Sequence, residues 1–173
     1  MELMLITEAL VRVKTMIVAA ALAGTVPAVA GAQVLTERNI SLQLAKTIAE
    51  TAMAVCKKAG IETSVAVVDR AGDLKVLLRS DASNPHNAEL AQRKAYTART
   101  FGVSTMEFRN RTAGGSELQG QRELTSIIPL GGGLPIVAGT DRIGGLGLSG
   151  APTQEDDDKC AKAALDAVAT QLK

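Results

Sequence analysis

The sequence predicts a single α+β domain, a mainly antiparallel sheet of about five strands flanked by helices. Three observations predict it. A run rich in β-branched residues, 61–69, and an apolar run, 74–78, are separated only by Arg70-Ala71-Gly72-Asp73, whose turn chemistry makes them a hairpin. Three more short apolar runs, 127–130, 134–138 and 143–149, are cut apart by Gly131-Gly132-Gly133 and by Gly139-Thr140-Asp141-Arg142. Helix-like segments precede, divide and follow these runs, giving the order helix, hairpin, helix, three strands, helix. Hairpin connections favour an antiparallel sheet over a doubly wound parallel one.

The domain is expected to begin after a targeting segment. Arg12 and Lys14 precede an apolar run at 16–23, and Gly24, Pro27 and Ala30-Gly31-Ala32 follow, which is the basic, apolar, A-x-A order of a signal peptide. Gly24 and Pro27 would break a first helix of the domain, and the run is shorter than the roughly 20 apolar residues of a bilayer span. Residues 1–32 are therefore read as a signal peptide and 33–173 as the mature domain, periplasmic or secreted and without a membrane span.

In the mature part, Ile40, Leu44, Ile48, Met53 and Val55 recur at roughly helical spacing after Thr36, and Lys57-Lys58 followed by Gly60 closes the helix. After the hairpin, Asn84-Pro85 opens a second helix that runs to Phe101, with Asn84 as its expected cap. Ser104 with Glu107 starts a short helix, and the polar stretch 109–126 reads as a surface excursion. The last helix opens at Thr153 with Asp156 and carries Ala161, Leu165, Val168 and Leu172 on one face.

Composition narrows the function. Hydrophobic residues make up 46% of the chain but aromatics only 2%, so Ala, Val, Leu and Ile fill the core, and 16 glycines imply close backbone approach. Lys and Arg number 19 against 18 acids, without a long block of like charge, so nucleic acid is not an expected partner. One His and two Cys do not supply the four ligands of a structural zinc site. Cys56 and Cys160 fall in the first and last helices, where antiparallel packing would bring them together. They are expected to pair as a disulfide, which an oxidising compartment favours, with two buried thiols as the alternative.

Two motifs have structural readings. Gly145-Leu146-Gly147-Leu148-Ser149-Gly150 fits G-x-G-x-x-G, but no βαβ unit with a later acidic strand follows it, so it reads as a strand closely packed by a helix. Asp69 and Asp73 bracket a turn that attracts Asp for its own hydrogen bonds. The Asn84 helix is more informative. Ala88, Ala91, Ala95 and Ala98 form one face suited to a sheet, and His86, Leu90, Arg93, Thr97 and Phe101 lie nearly opposite. That second stripe reads either as a solvated face or as a binding surface. The chain's single imidazole, an apolar wall and the cations Arg93 and Lys94 suit haem or another small organic acid.

The run Ser80-Asp81-Ala82-Ser83-Asn84-Pro85-His86, then Ala91-Gln92-Arg93-Lys94-Ala95-Tyr96-Thr97-Ala98, resembles the central helix motif of the GlcG/HbpS haem-binding family, which is related to the C-terminal domain of PduO proteins. Gly131-Gly132-Gly133-Leu134-Pro135-Ile136, the later glycine-rich strand and Asp156-Asp157-Asp158 match the rest in order, with a departure at Ala82, where the family often has glycine. The resemblance implies a five-stranded antiparallel sheet flanked by helices, assembly into homo-oligomers, and haem as a cofactor in some members. It makes His86 and Thr97 the candidate iron ligands.

The expected function is an exported haem-binding protein, for sequestration or sensing. His86 would be the metal ligand, Arg93 or Lys94 would meet the propionates, and Gly131, Gly132 and Gly133 would let the porphyrin approach backbone. The competing function is a small enzyme or accessory subunit acting on a carboxylate metabolite, with Arg93 or Lys94 holding the acid and His86 as general base. Leu90 and Phe101, if left in water, favour an oligomer contact.

Overall fold

The computed structural model describes residues 34–173, and the expected signal segment lies outside the described residues. Residues Glu37–Lys173 make one compact unit with the element order α1 (Leu42–Lys58), β1 (Ser64–Asp69), β2 (Leu74–Arg79), α2 (His86–Phe101), α3 (Thr105–Arg111), β3 (Gly133–Ala138), β4 (Asp141–Ser149) and α4 (Gln154–Ala167). The four strands pair in the order β2-β1-β4-β3, every neighbouring pair antiparallel. Among the described residues no helix is long and apolar enough to cross a membrane.

The sheet has four strands, not the five expected. Residues 127–130 form no ladder. Their polar groups are taken by α2 side chains instead: Arg93 Nη2 donates to the Ile127 carbonyl at 2.9 Å, and the Ile128 N–H donates to Thr97 Oγ1 at 2.9 Å. Ser126, at φ 67, turns the chain onto the helix. An apolar run of four residues has no periodicity to separate strand from strap, and here the helix outcompetes a strand for its backbone.

Helix boundaries also move. Ser41, not Thr36, caps α1 by accepting from the Leu44 N–H, and Gly60 leaves it at φ 75, the left-handed conformation glycine adopts most readily. The core stripe of α1 is Ala45, Ile48, Ala49, Ala52 and Cys56, with Leu44, Met53 and Val55 on its flanks. Asn84 does not cap α2 with its side chain. It gives its backbone carbonyl to the Asn87 N–H, while Ser83, Asn87, Ser64 and Ser149 form a buried polar chain that fixes the helix start. The expected caps Ser104 and Thr153 are in place, accepting from Glu107 and Asp156.

The two faces of the sheet are packed differently. Val65, Val67, Leu146 and Leu148 meet α1 and α4 in the main core, which also contains both cysteines. On the other face Ala66 and Val68 meet Ala91 and Ala95 of α2. In register with them stand Gly147 and Gly145. A Cβ on Gly147 would overlap the Ala91 carbonyl, and one on Gly145 the Ala95 carbonyl, so the helix backbone rests on the strand backbone. This is the close packing expected of the glycine-rich strand, and Asp69 likewise serves its turn, its Oδ1 accepting from the Ala71 and Asp73 N–H groups.

Gly147→Ala is therefore expected to cost about 2 kcal/mol or more, roughly 5 °C or more in Tm, because backbone on both sides must move. Gly114→Ala, where a Cβ meets nothing within 4 Å, should change stability by less than about 0.5 kcal/mol. Thermal denaturation of both variants checks the contrast.

Candidate functional site

The sequence-predicted site residues lie on α2 or, for Gly132 and Gly133, against it, with Gly131 against Met106 and Gln154, and the structure does not gather them in one cavity. His86 is the first residue of the helix, exposed, and without a side-chain hydrogen bond among the described residues. It stands on the rim of a cleft of about 270 Å³ whose walls include Leu90, Lys94, Leu130 and Pro152, closed on one side by the start of α4 at Gln154 and Asp157.

Lys94 reaches the bottom of this cleft from inside the protein. Only 2% of the residue is exposed. Its Nζ donates to Asp157 Oδ2 at 2.7 Å and to the Leu148 carbonyl at 2.8 Å, while Asp157 Oδ1 accepts from the Ala151 N–H at 3.0 Å. Burial lowers the Lys94 amine from its ordinary value, opposed by Asp157. Burial likewise raises the Asp157 carboxyl, opposed by Lys94. Both shifts have one cause, removal of the charges from water, and the pair answers it with direct hydrogen bonds. The amine expected to meet a propionate is thus engaged within the protein.

Arg93 and Thr97 face elsewhere. Arg93 lines a neighbouring cavity of about 440 Å³ with Glu89, Gln92 and Tyr96, and its guanidinium also contacts Glu89 at 3.4 Å. Thr97 is fully buried. Its hydroxyl donates to the Arg93 carbonyl at 2.8 Å and accepts from Ile128, so the 127–130 strap encloses it. Phe101 is not left in water either: it stacks on Phe108 with ring centroids 4.3 Å apart, which removes one of the two residues that argued for an oligomer contact.

The glycine triplet is buried. A Cβ on Gly132 would meet Asp157 and the Leu148 carbonyl, and one on Gly133 the Lys94 carbonyl and Thr105. The absent side chains make room for α2 and α4, and the backbone there offers no open surface for a porphyrin. A larger cavity, about 640 Å³ between α1 and the end of β2, holds none of the predicted residues. Its walls mix Glu50, Glu62 and Asp81 with Lys57 and Arg79 and carry no imidazole, so volume alone does not make it the better candidate.

Sequence reasoning named Asp157 only within a motif and gave it no role. A signal was present: Asp157 is four residues before Ala161 and seven before Ala164, on the apolar face of an amphipathic helix, where a carboxylate needs a partner. Its neighbours differ. Asp156 accepts from the Thr153 hydroxyl and Lys159, and burial raises the Asp158 carboxyl.

The sequence profile of a family described as "Haem degrading protein HbpS-like" matches residues 40–166. The chain belongs to the HbpS-like family. A curated relative from Citrobacter freundii, an uncharacterized 15.0 kDa protein of the dhaT-dhaS intergenic region, is 32% identical over 131 residues, covering 74% of this chain and 91% of the relative. Among solved structures, a double mutant of Streptomyces reticuli HbpS is similar at TM-score 0.75 and 31% identity, over 80% of this chain and 92% of that one. A PduOC:heme complex is similar at TM-score 0.70 and 27% identity, over 75% and 94%. As an HbpS-like chain with this fold, the protein has its family's single α+β architecture, whereas the roles of its site residues rest on the geometry above.

Removing Asp157 alone should be severe. Asp157→Ala leaves an unpaired ammonium at a site almost closed to water, and the expected loss is about 3–5 kcal/mol in chemical denaturation. The double variant Lys94→Met with Asp157→Leu should recover most of that loss, since the apolar pair needs no desolvation of charge.

Proposed function

We propose that this protein binds haem at the exposed end of α2, with His86 as axial ligand. The observation that carries the reading is the position of the chain's only imidazole, unpaired among the described residues and exposed on the rim of a cleft with Leu90, Leu130 and Pro152 in its walls. The haem-bound PduOC relative supports haem as the ligand class. His86, Leu90 and Arg93 fall on one side of the helix, Arg93 about two turns, or roughly 10 Å, beyond His86. A porphyrin laid along this stripe has a nitrogen donor at one end, apolar contact in the middle and a partly exposed guanidinium for a propionate.

The reading is binding rather than catalysis. The carboxylate-enzyme alternative needs a cation beside His86 to hold the substrate acid, and the Lys94 amine in that cleft already serves Asp157. Export is part of the proposal. It is supported by the signal-like order of residues 1–32 and by the Cys56–Cys160 disulfide, a bond typical of oxidising compartments. Sequestration or sensing of haem outside the cytoplasm is the corresponding role, and assembly into a homo-oligomer is proposed on the family resemblance.

Haemin titration followed at the Soret band tests the site. His86→Ala should shift the band and weaken binding by about tenfold or more, while Arg93→Ala should weaken binding by roughly threefold to tenfold with the band in place. Thr97→Val should leave the band unchanged and lower stability by about 1–3 kcal/mol, because it orphans the buried Ile128 N–H. Loss of the band in Thr97→Val but not in His86→Ala would move the iron beneath the 127–130 strap. Absence of any band with the wild type would sink haem binding.

A further inference from the structure

We propose that the Cys56–Cys160 disulfide is a redox-operated latch on α4, whose reduction frees one wall of the His86 cleft while the sheet, α1 and α2 remain folded. The bond joins α1 to α4 with a Cα–Cα separation of 5.7 Å across 104 residues of sequence. The link from latch to ligand rests on the haem-binding reading, and the latch itself does not.

The inner face of α4 explains why a cross-link matters there. Its buried residues are Asp157, Cys160, Ala161 and Ala164, so between the cap and the last turn the helix seats no large apolar side chain in the core. α4 shares its face of the sheet with α1, which brings Ile48 and Ala52 to the same core, while α2 is seated on the other face of β4 and β1 through Ala91, Ala95, Gly145 and Gly147. An element with few large buried contacts is the kind that opens on its own. Here the disulfide and the Lys94–Asp157 pair are its two strong attachments, three residues apart on one face of the helix. The same first turn provides Gln154 and Asp157 to the His86 cleft.

Both cysteines are buried, Cys56 at 1% and Cys160 at 6% exposure, and the approach is on the Cys160 side, which lines a separate cavity of about 490 Å³ between the end of α1 and α4, alongside Ala59, Gly60, Pro152 and Lys159. The reductant is a dithiol. Its thiolate attacks Cys160 Sγ, the Sγ–Sγ bond breaks, and Cys56 leaves as a thiolate that takes up a proton. The second thiol of the reductant, as thiolate, then displaces Cys160, which is protonated in turn, and the reductant ends as its own disulfide. Two electrons and two protons have passed to the protein.

Native-state hydrogen exchange on the full chain, oxidised and after dithiothreitol without denaturant, tests the latch. Exchange across Gln154–Ala167 should accelerate by about tenfold or more, with less than about twofold change in β1 and β4. A Cys56→Ser/Cys160→Ser double variant should reproduce the reduced pattern. The proposal is overturned if the bond resists dithiothreitol until the chain is denatured, if β1 accelerates together with α4, or if α4 does not accelerate. Haemin affinity is then measured in the double variant, where no thiol competes for iron, and should be about tenfold weaker than in the oxidised wild type. Equal affinity with a loosened α4 would overturn the coupling to the cleft. A wild type with no Soret band would overturn the haem reading alone, leaving the exchange experiment to decide the latch.

Discussion

The contact on which the rest of the structure depends is backbone on backbone, α2 lying directly on β4. Gly145 and Gly147 give the helix nothing to stand on but main chain, and Ala91 and Ala95 return the same absence. The depth this permits fixes what each other face of α2 meets. Ala95 cannot sit so low without drawing Lys94 below the surface beside it, and Gly133 must also lack a side chain because the Lys94 carbonyl occupies that space. A larger residue on the strand would raise the helix and dissolve these relations together, since interiors packed this densely shift as units.

Depth has a cost that polar groups offset. A buried ion pair is seldom a net source of stability compared with an apolar pair of the same volume, because desolvation of both charges consumes the attraction. Its contribution here is register: Lys94 reaches two acceptors, on β4 and on α4, and fixes which turn of α4 faces the sheet. Strength comes from elsewhere. In the loop-entropy account a bond closing about 100 residues contributes up to about 4.7 kcal/mol, with 2–4 kcal/mol typical. Burying an alanine methyl contributes only about 0.8 kcal/mol. For a helix whose buried apolar side chains, the cysteine aside, are Ala161 and Ala164, the cross-link is the larger of the two.

How much was legible follows from how local each signal was. The hairpin, the caps at Ser104 and Thr153 and the alanine face of α2 depend on residues a few positions apart, and they stand where the sequence puts them. The G-x-G-x-x-G strand was readable because its missing context, a βαβ unit, is also a sequence property. The 127–130 segment was not, since its partners are Arg93 and Thr97, some thirty residues away, and nothing in Ile-Ile-Pro-Leu declares that a helix will take its hydrogen bonds. Lys94 misled for a related reason. A lysine on a helix reads as a solvated or ligand-facing cation until its partner is known, and Asp157 lies 63 residues on. The expected cysteine pairing holds, but it stood beside buried thiols as an alternative because it depends on two helices docking against each other, which the structure provides.

The candidate site falls where coverage of α2 stops. Its inner face is closed by the sheet, and the flank from Arg93 onward is closed by the strap that Arg93 and Thr97 hold down. Farther along, Phe101 is taken by Phe108, and Arg142 donates to the carbonyls of Arg99 and Thr100 at the helix end. What remains is the first two turns, where the end of the strap at Leu130 and the loop entering α4 at Pro152 wall a cleft without covering His86. An exposed imidazole at that end needs no protein partner, because water satisfies it, and it can exchange water for a ligand without first breaking a buried bond. Thr97, two acceptor and donor contacts deep, would have to give up both. The same packing that hides the expected cation Lys94 therefore leaves His86 available, and the chemistry open to this fold is set by which residues of one helix the neighbouring segments fail to cover.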